Sequence, residues 1–456
     1  MTTDTTILFV AFEFPPLASG GVQRSLYFVK YLPENGIRPI VITPEEEDLK
    51  QIFHHGQVDH SLMKELDPAT VIERVHCEAP KKPSNPVAKW MKMFFSVTEN
   101  FKSAWRPSLD QRLPGILQTY DPKAIYVTIP PFAMVPLWLD ILAKYPLPLI
   151  IDFRDAWSQW AIAPNGTYFH YLSKLKMERS VLEKAAAVLV SSEQTRQDLL
   201  RIHKGIPGSK IEVITNGYDG DIEVPASLRI QKDGKLIIGY VGNFYYAPEA
   251  RAEIFKPWWK KKPHRMLNYI PRQEDWLYRS PYFFFRALRH LLDQQPLWKQ
   301  RIEVHFAGHQ PGWLKQQIQE FGLEDICHHT GYLKHEDVLL FQRNCQMLLI
   351  TSSKVLGGQD YSIAGKTFEY FSIGKPILAF VCNGAQKDLL MKSGMALICD
   401  PDDTPSAAGN LQRMLEGETV LHPDAEYIHQ FNRRVLTKKL SAVIRKIQIK
   451  KMEEQV

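Results

Sequence analysis

Two glycines, Gly20 and Gly21, stand in "FPPLASGGVQRSLYFVK", between an apolar run and a helical pattern. Backbone N–H groups in the first turn of a helix lack partners within the helix, and the helix dipole favours negative charge there. Glycine admits a phosphate that a Cβ would hold off. Such a turn offers anion binding; a simple turn accounts for the pair as well. In "DFRDAWS", Arg154 and Asp155 end another apolar run, where open α/β sheets hold their ligands; an internal ion pair is the alternative. Lys366 and Glu369 in "GKTFEYFSIGKP" are three residues apart, on nearly the same face of a helix. Lys366 can therefore reach a phosphate or pair with Glu369. His309 in "AGHQPG" ends a further run and can line a cleft. His328 and His329 are neighbours in a strand-like stretch and point to opposite faces. No group of Asp, Glu, His or Cys has the spacing of a metal site, so no metal is expected. The first apolar run is followed by a Pro-rich loop rather than by GxGxxG, which argues against a dinucleotide-dependent dehydrogenase.

The elements that position these residues alternate. "TILFVAF", "RPIVIT", "AIYVTI", "PLIIDF" and "AAVLVSS" read as buried strands with helical patterns between them, and "KIEVITNGYDG" runs from strand into turn. That alternation predicts an α/β protein with parallel sheets. The pattern restarts after a polar connector with "KLIIGYVGNF", "RIEVHFAGH", "QMLLITSS" and "KPILAFV". Two domains are expected: residues 1–225 and 233–425, the second interrupted by an insertion at 245–281. A closing helix spans 426–456, with Phe431, Leu436 and Leu440 at helical spacing.

With 456 residues, 45% of them hydrophobic, the chain is long enough for two or three globular domains. A formal net charge of +6 is too small an excess to imply nucleic acid. The cysteines number 5, scattered and without a CxxC, which fits a reducing compartment. No leader and no spanning segment is visible, and a cytoplasmic protein is expected, with peripheral attachment to the inner face of a membrane as the variant. That variant rests on residues 81–106 and 245–281, which mix Lys and Arg with Trp, Phe and Met, as in "KWMKMFF" and "FKPWWKKKPHRM". The mixture suits a membrane surface; solvated loops whose aromatics pack on the domain account for it equally.

Taken together, "PPLASGGVQR", "YLPENGIRPIVIT", "TIPPFAM…DFRDAW", "SSEQTRQDLL", "VITNGYDG", "GYVGNF", "FAGH" and "GKTFEYFSIGKP" resemble glycosyltransferase family four, a group 1 family with the GT-B fold. The resemblance covers nearly the whole chain outside the two irregular segments. It implies two Rossmann-like domains facing across a cleft, with the last helix crossing back to the first domain. It implies transfer of a sugar from a nucleoside diphosphate donor to a glycan or lipid-linked acceptor, with retention at the anomeric carbon and no cofactor or bound metal. Cell-surface polysaccharide or glycoconjugate synthesis is the process implied. A non-catalytic nucleotide-sugar-binding or scaffold protein of the same fold is the alternative.

The same resemblance assigns residues. Glu369 matches the family's second glutamate, which accepts from the ribose hydroxyls. Gly20 and Gly21 face the diphosphate, and Arg154 and Asp155 belong to the catalytic cleft. Asn243 and His309 join the donor site with Lys366. Arg279, which opens the helix after the insertion, is the candidate phosphate cation, and Arg251 is the alternative. The position of the family's first glutamate is Tyr361 here, which leaves the donor sugar open; Asp360, or amides near Gly357 and Gly358, would stand in for it.

Overall fold

A computed structural model describes residues 5–53, 58–79, 85, 101–160, 164–230, 234–262 and 265–453. Of the segment 81–106, residues 81–84 and 86–100, including "KWMKMFF", lie outside the described residues. The chain divides into two compact units. One holds the residues up to Asn216, a short stretch ending at Pro271 and the chain from Arg433; the other holds the remainder.

The first unit is built on β1 (Thr5–Val10), β2 (Ile37–Pro44), β3 (Val71–Val75), β4 (Ala124–Ile129), β5 (Leu149–Phe153), β6 (Ala187–Val190) and β7 (Ile211–Val213). Their order is β3-β2-β1-β4-β5-β6-β7, and every pairing is parallel. Helices cover both faces, so the strands read as continuous apolar runs rather than alternating ones. One face buries Leu8, Val10 and Ile125 with Trp105 and Trp138; the other buries Ile7, Phe9 and Tyr126. Phe9 pairs in register with Val41, and its ring stacks on Tyr126 at 4.3 Å.

The second unit repeats the plan with β8 (Leu236–Val241), β9 (Ile302–Ala307), β10 (Cys327–His329), β11 (Met347–Thr351), β12 (Ile377–Phe380) and β13 (Ala396–Cys399). Its order is β10-β9-β8-β11-β12-β13, again all parallel. In both units the chain winds outward from the first strand in one direction and then in the other. The order therefore reverses beside β1 in one and beside β8 in the other, and loops at such a switch point diverge to leave a crevice.

Three boundaries differ from the sequence expectation. The first unit ends at Asn216 rather than 225, because Tyr218 and Gly220 hydrogen-bond Phe431 and Asn432 of the second unit. For the same reason 426–432 stays with the second unit, and the last helix begins at Arg433. The expected insertion is split as well. Tyr269 exchanges backbone hydrogen bonds of 2.9 and 3.0 Å with Asn165 and sets its ring against Tyr168 and Tyr171, so its stretch belongs to the first unit.

The final helix, Arg433–Glu453, packs on α1 (Gly20–Tyr31) and buries Leu436, Leu440 and Ile444 in the core with Val22 and Leu26. Arg433 lies 3.7 Å over the Tyr27 ring, and Arg434 pairs with Glu34 at 3.3 Å. The burial, not the exposed charges, supplies the attachment, since an exposed ion pair contributes at most about 1 kcal/mol. Leu440→Ala is therefore expected to cost about 2–5 kcal/mol, whereas Lys439→Ala, on the exposed face, stays near wild type. Chemical denaturation of the two variants measures both.

Candidate functional site

At the switch point of the first unit, the loop after β1 carries Glu13 and runs into α1. Arg154, directly after β5, reaches across to it. Its guanidinium donates to the Glu13 carboxylate at 2.9 Å, to the Gly21 carbonyl at 2.5 Å and to the Pro130 carbonyl after β4. The pair is largely buried, with side-chain exposures of 9% and 15%. Arg154 is thus engaged within its own unit, the ion-pair alternative, although its partner is Glu13 rather than Asp155. Asp155 is exposed beside it.

The glycine pair divides. A Cβ on Gly21 would lie 2.1 Å from Arg154 Nη1 and within 2.9 Å of both Glu13 oxygens, so the arginine clamp itself demands glycine there. Gly20 is exposed, with nothing within 4 Å of the Cβ position. The Ser19 side chain makes no capping bond to the helix, and its hydroxyl donates to Glu13 at 2.5 Å. Behind the clamp, Arg24 on α1 makes a bidentate pair with Asp152 at 2.7 and 2.9 Å, and the Tyr126 hydroxyl and the Thr215 carbonyl complete the network. A forked, planar guanidinium suits this geometry. Burial is the largest effect on Arg24 and opposes its charge; Asp152 overcomes it and holds the guanidinium above its ordinary value.

In the second unit the expected residues gather around the ends of β8, β9 and β11. Gly242 and Gly308 both take positive φ, 97° and 131°, and a Cβ on Gly308 would meet the Gly242 carbonyl oxygen at 2.9 Å. The two turns lie against each other, and the Asn243 side-chain oxygen accepts from the His309 N–H at 3.3 Å. Lys366, in the first turn of the helix Gly365–Ile373, donates to the Val241 carbonyl at 2.8 Å and lies 3.6 Å over the Tyr240 ring. Burial pushes the ammonium down to about 7, with Glu369 pulling weakly the other way. Glu369 is exposed one turn along the same helix.

Arg279 donates to the Ser362 hydroxyl at 2.9 Å, and that hydroxyl donates to Asp360 at 2.8 Å. Asp360 is buried, which raises its carboxyl above the ordinary range, while Arg279 pulls it back. Arg251, the alternative cation, is committed to a bidentate pair with Asp275 at 2.6 and 2.7 Å. Tyr361 is buried, with Arg272 5.0 Å over its ring and its hydroxyl within hydrogen-bonding reach of Glu274. A cavity of about 120 Å³ opens beside Gly358, lined by Lys354, Cys382, Asn383, Lys387 and Asp402 among others.

Two carboxylates escape sequence reasoning. Glu13 follows β1 in "EFPP", and its pairing with a residue 141 positions away has no local signal. Glu274 sits in the inserted segment, where a polar "RQED" reads as solvated loop, yet it is 2% exposed and faces Arg279 and Tyr361.

The two glycines should separate on substitution. Gly21→Ala must push Arg154 or Glu13 aside, and overpacking of this kind costs about 1–3 kcal/mol. Gly20→Ala meets open space in a helical first turn and should keep or slightly raise the melting temperature. Thermal unfolding of the purified variants reads both; equal destabilisation would show that the clamp does not dictate the glycine.

Residues 19–221 match the model of Glycosyltransferase Family 4, and residues 278–417 match that of Glycosyl transferases group 1. Among solved structures, the chain is similar to a sucrose-phosphate synthase from Thermosynechococcus elongatus, at 13% identity and TM-score 0.58, with 97% of this chain and 99% of that one covered. It is similar to Anabaena HepE in complex with UDP and glucose, at 13% identity and TM-score 0.55, with 96% and 98% covered. It is also similar to the lipopolysaccharide outer core galactosyltransferase WaaB, at 13% identity and TM-score 0.53, with 96% and 99% covered. No curated protein matches the chain by sequence. Two family models cover successive parts of one chain, and each of its units is a parallel sheet wound in the same order. The chain belongs to the group 1 glycosyltransferases, its first half to their family 4, and it has the GT-B fold.

Proposed function

We propose that the protein transfers a sugar, with retention at the anomeric carbon, from a nucleoside diphosphate donor to a glycan or lipid-linked acceptor in cell-surface polysaccharide or glycoconjugate synthesis. The observation that carries the reading is Lys366, held over Tyr240 beside the Gly242 turn at the switch point of the second unit. A half-buried ammonium near neutrality gains charge when an anion arrives, and a diphosphate supplies one. Arg279 is the second cation of this reading, Asn243 and His309 line the donor, and exposed Glu369 binds the ribose hydroxyls. Gly20 offers open helix N–H groups to the phosphates, and Asp155 and Arg154 serve the sugar or acceptor. Stabilisation of the leaving diphosphate by fixed cations and amides is the main catalytic device, so turnover is expected without added divalent metal.

The burial of Tyr361 at the place of the family's first glutamate favours one second reading, a nucleotide-sugar-binding protein without transferase activity. Release of nucleoside diphosphate from the correct donor separates the two.

Calorimetric titration with UDP, GDP and other nucleoside diphosphates tests the site. Burial pushes Lys366 down to about 7, so the free protein carries less than a full charge there at pH 8. A bound diphosphate raises it, so binding at pH 8 takes up a proton, and affinity falls as pH rises through that range. The uptake should vanish in Lys366→Met. Glu369→Ala should weaken binding by about 1.5–3 kcal/mol through lost charge-assisted hydrogen bonds. Unchanged affinity in both folded variants would remove the nucleotide from this site.

The acceptor reading extends to a membrane surface. Trp258 and Trp259 are 61% and 62% exposed and are followed by Lys260, Lys261 and Lys262. Amphipathic rings beside cations suit an anionic lipid headgroup layer, each cation adding about 1 kcal/mol near the surface. No described helix is long and apolar enough to cross a membrane. The protein should float with anionic liposomes at low salt and release at high salt, and changing Trp258 and Trp259 to Ser should abolish flotation. Failure to float at any salt concentration would leave a soluble acceptor.

A further inference from the structure

The outer edge of the second sheet carries a cluster that the donor site does not use. Glu303 and His305 are two residues apart on β9 and share one face of the strand. His305 pairs in register with His328 of the edge strand β10, and the two rings meet edge-on at 5.0 Å. The intervening residues, Val304 and Phe306, point the other way into the core. Three donor atoms, one from each of Glu303, His305 and His328, lie within 4.8 Å of one another.

We propose that Glu303, His305 and His328 form a binding site for a divalent transition-metal ion, zinc above all. Two imidazoles and a carboxylate are the ligand chemistry of zinc, with water in the fourth place. His305 Nε2 already lies 3.0 Å from Glu303 Oε2. Two ligands of a tetrahedral zinc ion stand about 3.3 Å apart, so the ion replaces the shared proton with little movement. His328, exposed, closes the third side by rotating its side chain. Lys235, which pairs with the other Glu303 oxygen, orients the carboxylate and remains as its outer partner.

Among the described residues, the other cluster of this kind, Glu45, Asp48 and His76, is a poorer host. It has one imidazole, and the Asp48 oxygen that meets His76 at 3.0 Å also accepts from the Cys77 N–H at 2.7 Å. The proposed ion lies along the strand, not at the carboxyl end where open sheets bind ligands. It is a staple between β9 and the three-residue edge strand β10, and it takes no part in transfer chemistry. The inference does not rest on the proposed donor site.

The test uses full-length protein without an affinity tag, stripped with EDTA and then dialysed against zinc chloride. The wild type should bind one equivalent and melt at a higher temperature with zinc than without. His305→Ala and His328→Ala should each weaken binding at least tenfold and lose the thermal shift, while melting like wild type in EDTA. His76→Ala should bind as wild type does. Cobalt in place of zinc should give the intense visible bands of a tetrahedral site in the wild type and in His76→Ala, but not in His305→Ala or His328→Ala. A wild type that binds no zinc, or an His305→Ala/His328→Ala variant that binds it as well as wild type, overturns the proposal.

Discussion

A buried guanidinium tolerates few arrangements. Arg154 has to find acceptors for its N–H groups, because an unpaired buried charge costs several kcal/mol. It finds them in the Glu13 carboxylate and in the carbonyls of Gly21 and Pro130. Those partners sit after β1, in the first turn of α1 and after β4. One side chain therefore fixes three separate pieces of chain at the switch point of the first unit. The glycine at 21 follows from it, since the guanidinium occupies the space of a Cβ. Gly20, the open neighbour, is under no such constraint. The network behind it, Arg24 with Asp152 and Tyr126, ties α1 to β5 and β4 in the same way.

The second unit uses the opposite condition. The most buried lysine of its site, Lys366, has a carbonyl and an aromatic face against it, with the Glu369 carboxylate one turn along the helix. Desolvation then wins, and the ammonium falls toward neutrality. A cation set beside a carboxylate and two carbonyls keeps its charge and holds structure. An under-paired one gains when an anion comes. Arg154 and Lys366 thus differ in how far the surrounding groups offset the cost of burying a charge.

The fold was readable in the sequence because parallel strands buried on both faces write themselves as apolar runs. Six strands of one sheet and four of the other leave such runs; β3, β10 and β13 do not stand out, and β10 is only Cys-His-His. The family motifs were readable because they sit on those strand ends. What could not be read are long-range pairings. Arg154 was assigned to the cleft together with Asp155, and nothing near it in sequence announces Glu13. The histidines were dismissed as a metal group because the chain-neighbour pair His328–His329 points apart. The pairing of His305 with His328 is set by strand register, which no local pattern in the sequence shows. Domain edges were misplaced for the same reason: a single exchange such as Tyr269 with Asn165 moves a loop from one unit to the other.

The tyrosine at 361 also makes physical sense once its neighbours are known. Asp360 is next to it in sequence, and Glu274, delivered by the inserted segment, is beside it in space; both already face Arg279. Burial raises both carboxyls, and one guanidinium cannot offset many negative charges in a poorly hydrated pocket. A glutamate at 361 would add a third carboxylate to that group and drive at least one of them to protonate. A tyrosine fills the space, offers a hydroxyl to Glu274 and places a neutral ring under Arg272. Beside Tyr361 the acid therefore comes from Glu274, a residue of the inserted segment, rather than from position 361 itself.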